Sequence, residues 1–261
     1  MGVLNVTPDS FSDGGKHATV ECGVNAAVGM IQEGASLVDV GGESTRPGSL
    51  PVNTHEQIRR VVPVIRGIAA RVPGVVISID TTRADVADAA IDAGASLVND
   101  TSGGTDDPAM LRLVARRRVP IVLMHRRGTP LTMQADPFYD DVTRQVTTDL
   151  MLLRDSALAA GIEPVNILLD VGIGFGKTTA HNLQLLRDHA TFASLGHPLL
   201  LGASRKRFIG ELTDTPDPAD RLPGSIAAAL WGVDHGAAVL RVHDVAATVR
   251  AVRMFKAIAT G

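Results

Sequence analysis

The chain has 261 residues, of which 45% are hydrophobic, 20% charged and only 3% aromatic, so we expect one globular domain with an aliphatic core. A formal net charge of −3 is too small to favour nucleic acid or a membrane surface as a partner. The single cysteine, Cys22, cannot form an internal disulfide, which is typical of a reducing compartment, and no apolar stretch is long enough to span a bilayer.

Eight short apolar runs follow one another along the chain, and most end in a polar or ionisable residue. Runs of Val, Ile and Leu are typical of parallel strands that are buried on both faces. The runs are 3–5, 37–40, 75–80, 97–100, 121–125, 167–170, 199–204 and 239–243. A polar residue is costly to bury without a partner, so these ends indicate one shared site. Because the first run begins so close to Met1, we expect a natural N-terminal extension to be missing.

Stretches of helical character separate the apolar runs. They are 19–33, 55–71, 83–93, 108–117, 140–160, 181–189, 218–234 and 244–259. Glycine follows three of them, at Gly34, Gly94 and Gly161, where a left-handed residue commonly ends a helix. Cys22 falls within the first stretch, where we expect it to lie in the core.

The order of strand and helix, repeated eight times, predicts the fold class. It is α/β, a single (β/α)8 barrel domain over residues 1–261, with the active site at the C-terminal ends of the strands. An open doubly wound sheet is the alternative. No Gly-x-Gly-x-x-Gly turn opens the first helical stretch, which favours the barrel.

Two polar, glycine-rich loops follow the first and second strands, at residues 5–15 and 39–48. Their composition is also that of ordinary surface turns. Their length and their density of polar groups favour the interpretation that they are mobile lids over the mouth of the barrel.

Cationic residues collect after the seventh and eighth runs. Arg205, Lys206 and Arg207 follow the seventh run, while Arg241 and His243 are two apart in the eighth, so we expect the last two to face the same way. Loops after strands seven and eight often bind anions in barrels of this kind. A solvated basic turn is the alternative for residues 204–207.

Hydrogen-bond acceptors end three other runs: Asp80, Asn99 and Asp170. Such acceptors suit a ligand with several N–H donors, because a planar guanidine-like edge can give two hydrogens to one carboxylate. Any one of them could instead cap a loop or a helix. Three at equivalent strand ends favour a binding site, and no His or Cys cluster has the spacing of a zinc site.

At these residues the chain closely resembles the dihydropteroate synthases, enzymes of the folate pathway. The matching segments are 5–15, 39–48, 78–81, 98–100, 124–125, 169–177, 202–206 and 241–245, and their order and spacing cover the whole chain. The resemblance implies condensation of 6-hydroxymethyl-7,8-dihydropterin pyrophosphate with p-aminobenzoate, releasing pyrophosphate. It further implies Mg²⁺, a homodimer, a cytoplasmic location and inhibition by sulfonamides.

The resemblance also implies roles for individual residues. The pterin would be held by Asp80, Asn99, Met124, Asp170, Gly202 and Lys206. Pyrophosphate would be held by Asn5, Arg46, Arg241 and His243, with Asn5 also on the metal. The p-aminobenzoate pocket would comprise Thr7, Pro8, Phe11, Thr45, Phe175 and Arg207. Asp13, Arg46 and Lys206 would act in catalysis.

Three positions depart from the family pattern: Val171 stands where proline is common, Arg126 where methionine is frequent, and Arg207 where serine is frequent. We expect Arg207 to pair with the carboxylate of p-aminobenzoate. Arg126 and Val171 keep open a second hypothesis, a pterin-binding paralogue without activity. A third is a methyltetrahydrofolate-binding methyltransferase barrel, which needs neither an anion site nor the loop at 5–15.

Overall fold

Eight parallel strands form the centre of the molecule in the computed structural model, which describes residues 1–6, 16–43, 49–129 and 131–260. The strands are β1 Gly2–Asn5, β2 Leu37–Gly41, β3 Val76–Asp80, β4 Leu97–Asp100, β5 Ile121–Met124, β6 Ile167–Asp170, β7 Leu199–Leu201 and β8 Ala237–Leu240. The described residues also form ten α-helices. These are α1 Lys16–Gln32, α2 Thr54–Arg71, α3 Ala84–Ala93, α4 Met110–Arg117, α5 Val142–Ala159, α6 Thr179–Arg187, α7 His189–Ala193, α8 Arg207–Thr213, α9 Leu222–Asp234 and α10 Val245–Thr260.

Neighbouring strands pair in chain order from β1 to β8, all of them parallel. A parallel bridge between Gly2 and Val242 joins β1 to the segment that follows β8. Val3 N–H donates to Val242 O at 3.0 Å, and Val242 N–H donates to Met1 O at 2.9 Å. These bonds pair the backbone groups on the open edge of β1 with the segment that follows β8, as closure of a barrel requires. The predicted (β/α)8 barrel is confirmed.

The last two strands are shorter than the sequence predicts. β7 ends at Leu201 rather than at 204, and β8 ends at Leu240 rather than at 243. Arg241 N–H still donates to Leu201 O, but His243 N–H turns to the Ser204 hydroxyl, because side-chain bonding replaces the strand ladder there. Arg241 and His243 therefore lie just beyond β8 and not within it, but both side chains face the same cavity, as the sequence predicts.

Two helices were not predicted as separate elements. The predicted stretch 181–189 is α6 followed by α7, and the predicted stretch 218–234 is a 3₁₀ turn at Pro218–Arg221 followed by α9. Helix α8 begins at Arg207, the last residue of the segment 204–207 that the sequence analysis treated as a possible basic turn, and the helix itself was not predicted. Seven residues are too few for a recognisable apolar repeat, so tertiary packing decides such helices.

The core lies inside the barrel and between the strands and helices. It is aliphatic, as the composition predicts, and includes Ile77, Ile79, Val98, Leu123, Ile167 and Leu169. Cys22, expected in the core, is exposed, because α1 turns Val24 and Ala27 inward and places Cys22 on the opposite face. No helix among the described residues is both long and apolar enough to span a membrane.

Candidate active site

The carboxyl ends of the strands bring most of the predicted site residues together. Asn5 ends β1, Asp80 ends β3, Asn99 lies in β4, Met124 ends β5 and Asp170 ends β6. Gly202, Lys206, Arg207, Arg241 and His243 follow the ends of β7 and β8, and Phe175 follows β6. The predicted residues Thr7, Pro8, Phe11, Asp13, Thr45 and Arg46 lie outside the described part of the chain.

One half of the site, the Arg241 cluster, comprises Asp39, Asp80, Asn99 and Arg241. Arg241 donates from Nε to Asp39 Oδ2 and from Nη2 to Asp80 Oδ2, both at 2.7 Å. Asn99 Nδ2 donates to the same Asp39 oxygen at 3.0 Å. Burial raises the pKa of Asp80 to about 7, although the nearby guanidinium opposes the rise. Arg241 thus spans two buried carboxylates.

Asp39 is the residue of this cluster to which sequence reasoning gave no role. It sits in the middle of β2, and its side chain is fully buried. The sequence did contain evidence that Asp39 has a partner, because an aspartate inside the apolar run 37–40 is costly to bury unless it is paired. Its partner Arg241 is 202 residues away in sequence, so the pairing itself is a result of the fold.

The other half, the lysine cluster, comprises His125, Phe175, Lys177 and Lys206. Lys206 Nζ lies 4.1 Å from the centre of the Phe175 ring, a cation–π contact. Burial lowers the pKa of Lys206 to about 8. Asp170, whose pKa is raised by burial, accepts from Gly172 N–H at 2.7 Å through Oδ1. Lys206 lines the cavity while Asp170 is buried behind it, and among the described residues the two form no direct ion pair.

Lys177 is a second residue that sequence reasoning did not assign. Its Nζ lies 3.0 Å from His125 Nδ1 and donates to Phe175 O at 3.0 Å. His125 Nε2 in turn lies 3.1 Å from Asp149 Oδ2. Burial lowers the pKa of Lys177 to about 7 and that of His125 to about 2, so the imidazole is neutral and accepts from the amine.

The glycine-rich loop at 172–176 is fixed from several sides. Gly174 N–H donates to Asn182 Oδ1 at 2.7 Å, and Gly176 O accepts from the Tyr139 hydroxyl at 3.0 Å. A Cβ at Gly172, where φ is 68°, would lie 1.9 Å from His125 O, so only glycine fits this approach. The loop therefore presents Phe175 in one orientation.

A cavity of about 790 Å³ opens between these groups, within the range of ligand pockets. Its wall includes Asn5, Phe175, Lys177, Lys206, Arg207, Arg241 and His243. Four predicted site residues are buried behind this wall: Asp80, Asn99, Met124 and Asp170. Asp80 is bonded to Arg241, Met124 packs with Phe175, and the charge of Lys206 acts on Asp170. At Gly202 the nearest heavy atom to an added Cβ is Arg241 Cβ at 3.9 Å, so the backbone is open to a ligand.

The cationic segment after β7 divides into paired and unpaired side chains. Arg205 donates two bonds to Asp244, at 2.9 and 2.6 Å. Arg207 is 81% exposed at the start of α8 and pairs with Glu211. His243 Nδ1 lies 3.1 Å from Ser204 Oγ. Among described residues only Lys206 of the three consecutive cations has no carboxylate within ion-pair distance.

The two other departures from the family pattern lie away from the cavity wall. Arg126 Nη2 pairs with Asp106 Oδ1 at 2.7 Å, in the loop after β4. Val171 is buried in the hydrophobic core, and its side chain has no polar group that would need a hydrogen-bond partner. Neither side chain lines the cavity, so neither obstructs the described site.

This arrangement suits a particular chemistry. Buried acceptors can hold a ring rich in N–H donors, and cations beside them can stabilise a departing anion. Within the described residues no three His, Cys, Asp or Glu side chains converge as a metal site.

Comparison with known proteins gives concordant matches. A family model described as pterin binding enzyme matches residues 1–243. The dihydropteroate synthase of Mycobacterium leprae is 46% identical over 261 residues, covering 97% of this chain and 91% of that protein. A Xanthomonas albilineans dihydropteroate synthase structure with 4-aminobenzoic acid is 47% identical with a TM-score of 0.94, covering 100% of this chain and 93% of that one. Another from the same organism, in complex with 7,8-dihydropteroate, is 44% identical with a TM-score of 0.91 and the same coverage.

Proposed function

The chain belongs to the pterin-binding enzyme family and, within it, to the dihydropteroate synthases, and we propose how its residues divide that reaction. The enzyme joins 6-hydroxymethyl-7,8-dihydropterin pyrophosphate to p-aminobenzoate and releases pyrophosphate, a step of folate biosynthesis. One observation carries the assignment of roles: a single cavity is lined by Arg241 from one cluster and by Lys206 and Phe175 from the other.

The pterin is held by buried acceptors at the strand ends. Asp170, whose Oδ1 already binds Gly172 N–H, turns its other oxygen to the ring N–H donors. Asp80 and Asn99 accept from the same ligand, and Lys206 donates to it. Met124 packs against the ring, and the open backbone at Gly202 lets it approach. Ionised carboxylates bind donors better than neutral ones, so this subsite favours a pH above the raised pKa of Asp80.

The anion subsite supports departure of pyrophosphate. The bond between the pterin methylene carbon and the pyrophosphate oxygen breaks, and the oxygen keeps the electron pair. The cation left behind is delocalised into the pterin ring, which favours a dissociative route. Arg241 and His243, with Asn5 and Arg46, hold the departing oxygens in a preorganised environment.

Mg²⁺ fits the donors present at this subsite. Mg²⁺ in proteins commonly takes one or two protein oxygens, several waters and substrate phosphate oxygens rather than a cage of side chains. Asn5 offers an amide oxygen on the cavity wall, which is consistent with that pattern. When bound, Mg²⁺ supplies charge stabilisation to the leaving oxygens. Asn5 would hold the ion through its amide oxygen, and Arg241 would add positive charge beside the same leaving oxygens.

p-Aminobenzoate completes the reaction. Its amine nitrogen forms the new bond to the methylene carbon and loses one proton, which the released pyrophosphate can accept, so no Ser or Cys nucleophile is needed. Phe175 supplies the described wall of its pocket, and Arg207 stands at the rim to meet its carboxylate. Thr7, Pro8, Phe11 and Thr45 complete that pocket from the two loops. Asp13 and Arg46 act in catalysis, and exclusion of water from the site keeps water from capturing the cation. Sulfonamides should compete for this pocket.

A homodimer and a cytoplasmic location are part of the same proposal. An apolar groove of about 320 Å³ lies among α6, α8 and α9, with Leu212 and Trp231 about half exposed. Exposed apolar surface of this kind supports association with a second copy. The change Leu212→Glu should then yield monomer in sedimentation equilibrium, whereas an unchanged mass would contradict this face as the interface. The single cysteine supports a reducing compartment.

The test of function is pyrophosphate release with both substrates and Mg²⁺. The wild type should turn over, and Arg46→Ala should lower kcat/KM by roughly 10²–10³, the typical effect of losing one preorganised donor. Pterin affinity should change little. If wild type and Arg46→Ala released the same negligible pyrophosphate while both bound pterin, the chain would be the inactive paralogue.

A further inference from the structure

Asp39 carries a charge that the proposed reaction does not use directly. It is the third of five residues in β2, and its side chain is 0% exposed, so it does not reach the cavity. A carboxylate in such a position is costly unless the surrounding groups repay its desolvation. Its presence in an otherwise aliphatic strand points to a role for the carboxylate as a hydrogen-bond acceptor.

One oxygen of Asp39 accepts two hydrogen bonds from distant parts of the chain. Asp39 Oδ2 receives Arg241 Nε at 2.7 Å and Asn99 Nδ2 at 3.0 Å. Strand β2 pairs with β1 and β3, whereas Asn99 lies in β4 and Arg241 follows β8. The contacts therefore cross the barrel interior between strands that share no backbone ladder.

These bonds fix the orientation of both partners. With Nδ2 bound to Asp39, the Asn99 amide presents Oδ1 as the acceptor for a ligand. With Nε on Asp39 and Nη2 on Asp80, the Arg241 guanidinium plane is held by two contacts and Nη1 takes no part in either. A planar guanidinium held this way loses little entropy when it binds an anion.

We propose that Asp39 is a positioning residue, which through Oδ2 holds Asn99 for the pterin and Arg241 for pyrophosphate and so joins the two subsites. This inference rests on the proposed roles of those two residues. The other oxygen, Oδ1, has no hydrogen-bond partner among the described residues. The acceptor function is therefore concentrated in one atom, and this makes it testable by substitution.

Three variants separate the acceptor from the charge and from core packing. Asp39→Leu removes the acceptor, and Asp39→Asn keeps an oxygen in place of Oδ2 without the charge. Ser78→Ala is the matched control, because Ser78 is the buried register partner of Asp39 and its hydroxyl has no partner among described residues. The measurements are calorimetric titrations with 6-hydroxymethylpterin and with pyrophosphate plus Mg²⁺.

Asp39→Leu should lower the affinity for both ligands at least roughly 10-fold, as expected when a charged hydrogen-bond partner is lost. Asp39→Asn should restore both to within roughly 3-fold of wild type, since an amide oxygen still accepts. Ser78→Ala should change neither. A folded Asp39→Leu that binds both ligands like the wild type overturns the inference. So does an Asp39→Asn variant as weak as Asp39→Leu, because then charge rather than positioning matters.

A second readout covers the case in which Asp39→Leu does not fold. The Arg241 Nε–H and Asn99 side-chain amide resonances should both move in Asp39→Asn and stay fixed in Ser78→Ala. Unmoved resonances overturn the inference. Failure of the wild type to bind pterin would instead defeat the proposed function, whereas a wild type that binds and turns over, beside an equally competent Asp39→Leu, would defeat only the role of Asp39.

Discussion

The Arg241 cluster and the lysine cluster bury charge in different ways. Arg241 is bonded to two carboxylates, so the positive and negative groups of that half compensate one another within the protein. Lys177 and Lys206 have no carboxylate within ion-pair distance among the described residues, and they contact carbonyls, an imidazole and an aromatic ring instead. The charges of the Arg241 cluster are therefore compensated within the protein before any ligand binds, whereas those of the lysine cluster are not.

The difference shows what each half can contribute to the reaction. A compensated guanidinium is rigid and always charged, which suits an orienting role. An uncompensated ammonium in a poorly hydrated site gains most when it meets a negative ligand or a ligand acceptor. We therefore expect the lysine cluster to give the larger functional effects and the Arg241 cluster to give the larger effects on geometry.

The largest effect is expected at Lys206. Lys206→Met removes the uncompensated charge that faces Phe175, and kcat/KM should fall roughly 10²–10³-fold, as for one preorganised transition-state donor. Steady-state pyrophosphate release measures it. Arg205→Lys is the matched control, because Arg205 is already paired with Asp244 and should stay within a few-fold. Equal losses in the two variants would erase the distinction between the halves.

Asp170→Asn comes next. The amide keeps the shape but lacks the charge that attracts ring N–H donors, so pterin binding should weaken by about 1.5–3 kcal/mol. The control is Asp100→Asn. The Asp100 carboxylate also ends a strand, β4, but both of its oxygens already accept hydrogen bonds from Ser102 and Gly104 of the following loop. Calorimetry showing unchanged pterin affinity in Asp170→Asn would sink the assignment.

A smaller effect concerns stability and pH. Burial places the folded pKa of Lys177 at about 7, below its usual value of 10.5, so between these values the unfolded chain binds more protons and stability rises with pH. Asp80, with a folded pKa of about 7 against 3.8, has the opposite sign and loses stability from pH 3.8 to 7. Lys177→Met should lower the slope above pH 7 by about 1 kcal/mol per pH unit, while Lys206, whose pKa is lowered to about 8, keeps its own contribution.

Urea unfolding at pH 7, 8 and 9 measures that slope. If the slope above pH 7 were the same in wild type and Lys177→Met, the buried amine would not be the group that titrates, and the two halves would not differ in the sign of their pH dependence.

The smallest effect is expected at Arg207. It is 81% exposed and paired with Glu211, so its charge is screened by solvent and by its partner. Arg207→Ser should raise the KM for p-aminobenzoate only a few-fold, with pterin affinity unchanged. Glu211→Gln, which releases the arginine, should move KM in the opposite direction. A loss comparable with that of Lys206→Met would mean that exposure does not set the size of the effect.

The strands were predictable because their physics is local. A strand covered on both faces must be apolar along its length, so all eight appear as runs, and their polar ends mark one side of the barrel. The left-handed glycines at Gly34, Gly94 and Gly161 follow equally local rules and have the expected positive φ. Short helices such as α7 and α8 have no such pattern, so the sequence did not reveal them.

The same difference between local patterns and long-range contacts decides which site residues were predictable. Asp80, Asn99 and Asp170 were predictable as acceptors because each stands at the end of an apolar run or one residue before it. Lys177 and Asp39 were not given roles, since their partners His125 and Arg241 lie 52 and 202 residues away. Long-range pairing leaves no periodic trace in a single sequence.

The sequence by itself determined the eightfold order of strand and helix, the aliphatic core and the edge of the barrel at which the chemistry is placed, because burial imposes apolar character residue by residue. Only the tertiary structure decided which charges compensate one another. Arg241 reaches Asp39 and Asp80 across the barrel interior, while Lys206 is left to the ligand. That choice depends on distances between strands, and these arise only when the barrel closes.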